Sequence, residues 1–124
     1  TLTDSSAASD VYKRQYLMCF RQRPTEWQPA RHYDSGEHNL WVRAVSYERR
    51  LPSTEREALV NFKLELDAGK DYRINREIND GIVKVWIEEK DSSEIISEVK
   101  TAELKRPINA QLTRDLSLCQ ESTV

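Results

Sequence analysis

The sequence predicts an all-β fold: an antiparallel β-sandwich or open barrel of about six strands with an irregular or short helical C-terminal tail. Three observations carry that expectation. Apolar and polar residues alternate with a period of two in several short segments, turn-forming residues separate these segments at close spacing, and no internal stretch sustains a helical period.

The chain opens on "TLTDSSAAS", small, polar and without period, followed by "DVYKRQ" at residues 10–15. Those six residues fit the codons GAT GTG TAT AAG AGA CAG, which look like a transposase adapter end used in sequencing libraries. Residues 1–15 are therefore expected to be a disordered leader foreign to the fold, dispensable for stability. Residues 16–104 are expected to form a single β-sandwich-like domain, and 105–124 an irregular tail, itself partly foreign because "LSL" fits the reverse complement of the adapter although "CQ" does not continue it.

Within the domain, "YLMCF" reads as a short strand, and "RQRPTEWQPARHYDSGE", with two prolines and a glycine, as a connecting loop. "HNLWVRAVSY" is apolar on both faces, Leu40, Val42 and Ala44 on one side and Trp41, Val45 and Tyr47 on the other, which predicts a strand covered on both sides. In "EALVNFKLEL", Ala58, Val60, Phe62, Leu64 and Leu66 alternate with Glu57, Asn61, Lys63 and Glu65, and Leu59 alone breaks the period. A helix is the alternative there, since Thr54 and Glu57 have capping-box spacing and Gly69 suits a helix end. At about 100° per residue, however, Val60 and Leu64 fall opposite Ala58, Leu59, Phe62 and Leu66, so the strand is preferred.

"DAGK" reads as a hairpin loop in which Gly69 supplies positive φ, leading into "DYRINREI" with Tyr72, Ile74 and Ile78 against Arg73, Asn75 and Glu77. "NDG" at residues 79–81 is a strong hairpin signal before "IVKVWIEE", where Val83, Val85 and Ile87 share one face. "KDSS" then turns the chain into "EIISEV", the fourth strand of a meander over residues 57–99. In the tail, Ile108, Leu112, Leu116 and Cys119 would share one side of a short terminal helix.

Composition narrows the classes of function. A charged fraction of 32% beside a hydrophobic fraction of 38% is that of a globular protein, and no apolar run approaches the ~20 residues a membrane helix needs. With 19 basic and 21 acidic residues the net charge is −2, leaving no cationic surplus to neutralise phosphates, so nucleic acid is not an expected partner. Cys19 and Cys119 lack metal-ligand or redox spacing. Cys19, between Met18 and Phe20, reads first as a small buried apolar residue, with a disulfide to Cys119 as the alternative.

Candidate chemistry is sparse. "HYDSGEH" gathers His32, Asp34, Glu37 and His38, all possible ligands of zinc or another divalent ion, but without the HExxH arrangement or a second ligand pair; a solvated turn is the simpler expectation. No nucleophile elbow is present, and three glycines in the chain supply no phosphate loop. Neither catalytic residues nor a cofactor are therefore expected. Arg43, Arg49, Arg50 and Arg56, interleaved with Trp41 and Tyr47, form a possible ligand platform, although arginine stems also cover aromatic rings for structural reasons. Trp41, Arg43, Val45 and Tyr47 are the candidate interaction surface.

"SGEHNLWV", "LDAGKDYRI" and "VKVWIEE" together resemble a loosely defined group of small bacterial envelope proteins, many of them lipoproteins, across residues 35–99. In that pattern a Gly-x-His turn opens a strand, an Ala-Gly-Lys-x-Tyr hairpin follows, and a Val-x-Val-Trp-Ile strand ends near a charged turn. The resemblance implies an exported β-sandwich of unassigned role, in the periplasm or at the outer membrane, with an export signal and lipid anchor in sequence preceding this chain. "YLMC" does not suit lipid attachment. The expected function is a non-enzymatic binding or structural module whose partner is an envelope protein or cell-wall component. Two alternatives stand beside it: a metal-binding or enzymatic protein using the loop at residues 32–38, and a cytosolic β-domain that binds other proteins.

Overall fold

The computed structural model describes residues 2–3, 5–7, 11–28, 30–48 and 51–122. In chain order the elements are β1 (Leu2–Thr3), β2 (Ser5–Ala7), β3 (Val11–Leu17), β4 (Cys19–Phe20), β5 (Arg23–Pro24), β6 (Ala30–Arg31), β7 (Gly36–Glu48), β8 (Leu51–Leu66), β9 (Tyr72–Asn79), β10 (Ile82–Glu89), β11 (Lys100–Glu103) and α1 (Gln111–Cys119). One sheet runs β2-β3-β7-β8, all antiparallel; the other runs β11-β10-β9-β1-β6, antiparallel except where β1 lies parallel to β9; β4 and β5 form a small third sheet.

The period of two decides which residues enter the core. The β7–β8 register sets Leu40 opposite Phe62, Val42 opposite Val60 and Ala44 opposite Ala58, placing all six on one face. That face meets Tyr72, Ile74, Val83, Val85 and Ile87 of the second sheet in a single buried cluster. The result is a sandwich with a short helical tail, as the alternation predicts. The "NDG" hairpin also forms as expected: Asn79 pairs with Ile82, and Asp80 and Gly81 take φ of 52° and 76°, the left-handed pair of a two-residue turn whose twist matches the strands.

Four expectations need correction. The meander does not hold, because β8 and β9 belong to different sheets and the chain crosses the sandwich at Asp67–Asp71 instead of making a hairpin. Both strands carry one apolar face, and facing each other across the core buries both. Tyr33 braces this corner: its hydroxyl lies 3.0 and 3.1 Å from the carbonyl oxygens of Asp67 and Lys70 and donates to one at a time, while the Tyr72 hydroxyl accepts from the Asp67 N–H at 3.0 Å.

"EIISEV" is not a strand. It makes one bridge, Ile95 to Glu88, and the last strand is β11, paired with β10 from Ile82 to Val85. Ser97 explains the break, since its hydroxyl oxygen accepts from the Ile87 N–H at 2.8 Å and replaces the backbone acceptor a strand would supply.

The first residues are not disordered where they are described. Residues 11–17 pair with β7, and Leu2 lies in the core. The two-sided apolar strand β7 needs a second neighbour, and β3 supplies it with a buried residue on each face, Leu17 in the main core and Tyr16 in the cluster on the opposite side. The fit is imperfect: Gln15 is fully buried, and among the described residues neither of its side-chain polar atoms finds a hydrogen-bond partner, an arrangement that costs roughly 1–3 kcal/mol.

The tail forms α1, but not on the expected face. Ile108, Leu112 and Leu116 are exposed, and Asp115 and Cys119 are buried against the sheet. The helix docks through a disulfide and ion pairs rather than through a leucine stripe.

Candidate functional site

The outer face of β7 carries Trp41, Arg43, Val45 and Tyr47, all half-buried. Much of it is covered by the chain itself: Tyr16, Met18, Cys19 and Cys119 form a second buried cluster, with Trp27, Trp41, Val45, Leu59 and Leu118 packed around it. This cover gives the physical reason for the irregularity at Leu59, whose side chain points away from the main core and under the tail. Trp41 and Val45 thus have neighbours within the chain.

Arg43 lies at the centre of a network that the sequence did not single out. It pairs with Asp115, lies 3.4 Å from Glu57 through Nε, and donates to the Tyr16 hydroxyl at 2.9 Å. Arg114 closes the group, with Nη1 2.7 Å from Glu57 and Nη2 3.1 Å from Asp115. Burial pushes the Tyr16 hydroxyl above its ordinary pKa against the opposing effect of Arg43, so it remains protonated at neutral pH. Arg56 donates to the carbonyl oxygens of Ser53 and Glu55 and stands outside the network, and Arg49 and Arg50 lie outside the described residues.

Cys19 and Cys119 form a disulfide with Cα atoms 5.3 Å apart, joining positions separated by 100 residues. The alternative reading of the cysteines is therefore the correct one. Closing so long a loop restricts the unfolded chain by about 4–5 kcal/mol in the chain-entropy model, with measured disulfides typically nearer 2–4. The bond pins the end of α1 to β4, next to a two-residue turn at Arg21–Gln22.

That turn is unusual. Phe20 pairs with Arg23, and the two residues between them take φ of 54° and 63° without a glycine. Two L-residues in the left-handed region store roughly 1 kcal/mol each, and such strain concentrates where function requires a fixed shape. The surroundings hold it: Gln22 Nε2 donates to the Gln120 carbonyl at 3.3 Å, and Thr25 N–H to the Met18 carbonyl at 2.9 Å. The Arg21 and Arg31 guanidinium carbons lie 5.3 and 5.2 Å from the centre of the Phe20 ring.

A cleft of about 540 Å³ opens between this turn and the loop that precedes β7, lined by Phe20, Arg21 and Gln22 on one side, by His32, Tyr33, Asp34 and His38 on the other, and by Ser122. Three of the four histidine and carboxylate candidates therefore meet one cavity, while Glu37 lies in a neighbouring groove beside Lys63 and Glu65. His38 Nε2 donates to the Asp34 carbonyl at 2.5 Å, which orients the imidazole, and the Tyr33 ring meets it edge-on at 5.9 Å. Among the described residues no three of His, Cys, Asp and Glu come together to hold a metal ion. The cleft instead offers aromatic rings beside a guanidinium, an amide and imidazoles, a set suited to gripping a polar ligand with a flat face. Phe20, Arg21, Gln22 and Tyr33 left no sequence signal, because a left-handed turn without glycine or asparagine reads as ordinary loop.

No helix among the described residues is long and apolar enough to cross a membrane. Comparison with known proteins finds no matching family model, no matching curated protein and no matching solved structure.

Proposed function

We propose that this chain is an exported, non-enzymatic binding module of the bacterial cell envelope, and that the cleft between the Arg21–Gln22 turn and the loop at residues 32–38 holds a cell-wall component. The observation that carries this reading is the strained turn held beside the Cys19–Cys119 disulfide. Disulfides persist in oxidising compartments, which supports export. A rigid, strained rim supports recognition, since a preorganised site loses less entropy on binding. Cell-wall fragments combine sugar faces, which stack on rings such as Phe20 and Tyr33, with hydroxyls and carboxylates, which take donors such as Arg21 and Gln22. The likeness of residues 35–99 to envelope proteins supports the same compartment.

The test has two parts. The tagged native gene, expressed in a bacterium, should fractionate with the envelope with both cysteines protected from alkylation until reduced. Titration of the purified protein with soluble peptidoglycan fragments should shift the amide resonances of residues 20–22 and 32–38, and Phe20→Ala, checked by its thermal melt to be folded at the temperature of the titration, should weaken that binding about fivefold or more. A cytosolic protein with free thiols would end the export reading. Fragments that leave the cleft resonances unmoved would end the ligand assignment.

A further inference from the structure

β8 is the edge strand of its sheet and lies away from the cleft at the Arg21–Gln22 turn. Glu57 exchanges both backbone hydrogen bonds with Lys105, its N–H donating at 2.7 Å and its carbonyl accepting at 2.9 Å, so its peptide groups point away from β7. Every second residue of an antiparallel strand points its peptide groups the same way, hence Leu59, Asn61, Lys63 and Glu65 also present N–H and C=O outward. Among the described residues no backbone hydrogen bond is made to those four, and β8 is bridged on that side at Glu57–Lys105. Open space of about 720 Å³ lies alongside, bounded by Asn61 to Glu65 and by Ile96, Ser97, Glu98 and Lys100.

Such edges are usually guarded by like charges or prolines. Here the guard is of mixed sign. Lys63 and Glu65 are both exposed, and neither has an ion-pair partner among the described residues. The β7–β8 register even sets Glu65 directly opposite Glu37, an unfavourable like-charge pair.

We propose that the occupant of this edge is a second copy of the chain, its β8 running antiparallel across a two-fold axis at Leu64. In that register Lys63 lies opposite Glu65 of the second copy and Glu65 opposite its Lys63. Phe62 faces Leu66 and Leu64 faces Leu64 on the inner side. The hydrogen-bonding parity is satisfied, since Lys63 and Glu65 both point their peptide groups outward. Moving the axis by one residue sets Lys63 against Lys63 or Glu65 against Glu65, so charge selects the central register. Each incoming Lys63 also supplies a cation beside the Glu37–Glu65 pair. The interface is isologous and closes at two copies, fusing two sheets into one. A single strand edge is at the small end of interface sizes, so association is weak and depends on concentration.

Sedimentation equilibrium of the full chain over a wide concentration range tests this, with thermal melts showing that each variant is folded. Wild type should reach a monomer–dimer equilibrium. Lys63→Glu alone and Glu65→Lys alone should each weaken self-association about tenfold or more, because two attractive pairs become repulsive. An equimolar mixture of these two variants should form a heterodimer of wild-type strength, and the double variant Lys63→Glu/Glu65→Lys should self-associate like wild type. A wild type that stays monomeric throughout, single variants that dimerise unchanged, or a mixture that fails to associate would each overturn the proposal. The first of these outcomes would leave the edge to an extended segment of another protein.

Discussion

Two polar networks hold buried carboxylates in this molecule, and they are assembled in opposite ways. On the β9–β10 hairpin, Glu88 accepts from Trp86 Nε1 at 2.8 Å, Asn75 Nδ2 at 2.9 Å and Arg73 Nε at 3.1 Å. The strand register sets Arg73 opposite Glu88 and Asn75 opposite Trp86, so one tight turn at Asp80–Gly81 places all four side chains. Under α1, by contrast, Arg43, Glu57, Arg114 and Asp115 come from β7, β8 and the tail, and meet because the disulfide holds the tail down. The first network follows from local register. The second depends on closing a loop that spans most of the chain, with the entropy that entails.

This difference is open to experiment. The largest effect should come from Cys19→Ser/Cys119→Ser, with a loss of about 2–5 kcal/mol in urea unfolding. Amides of α1 should lose hydrogen-exchange protection while the Trp86 indole N–H keeps its own. Equal loss at both places would show that the two networks are one cooperative unit.

Asp115→Ala comes next. It leaves Arg43 and Arg114 short of a countercharge in a mostly buried setting, at a cost of about 1–3 kcal/mol after allowance for the partial exposure of both arginines. An unchanged melting temperature would mean that the staple alone holds the helix.

The hairpin network should respond to acid. Burial acts to raise the Glu88 pKa, but donors from Arg73, Asn75 and Trp86 outweigh it and hold the carboxyl below its ordinary value of 4.5. A carboxylate depressed in the folded state contributes stability above its unfolded pKa and loses that contribution as pH falls through the folded one. Glu88→Gln should therefore lower stability by roughly 1–2 kcal/mol at neutral pH. The gap to wild type should narrow below about pH 4.5 and close in stronger acid. A gap that stays constant down to pH 2 would refute the electrostatic account.

The smallest effects belong to the two turns. Gln22→Gly should stabilise by about 0.5–1 kcal/mol by relieving a left-handed glutamine, whereas Gly81→Ala should destabilise by about 1 kcal/mol, because Gly81 has φ of +76°. An added Cβ at Gly81 meets nothing within 4 Å, so the cost there is purely that of the backbone. Thermal melts of the pair measure how far each turn is strained.

Local pattern made much of the fold legible. The alternation in residues 57–66 marked the core face of β8, "NDG" marked the hairpin, and the two-sided β7 announced that something must cover Trp41 and Val45. Leu59 was the remaining trace of that cover, an apolar residue on the wrong face for a half-exposed strand. The misread elements share a physical cause. A corner and a hairpin loop carry the same turn residues, so "DAGK" could not disclose that β8 and β9 lie in different sheets; a side chain that intercepts the ladder, as Ser97 does, has no signature of its own.

A window of a few residues encodes strand periodicity, the inward set Leu40, Val42, Phe62, Ile74 and Val85, and the register of one tight hairpin. Tertiary structure alone decided that the tail lies over β7, that Cys19 meets Cys119, that Asp115 rather than Leu112 faces the sheet, and that Phe20 and Gln22 share a cleft with His32 and His38. The reason is one of distance along the chain. Contacts between neighbours in sequence are set by backbone geometry and repeat with a period that can be read, whereas contacts across 100 residues depend on which buried surfaces fit once the sheets have packed, and no period encodes them.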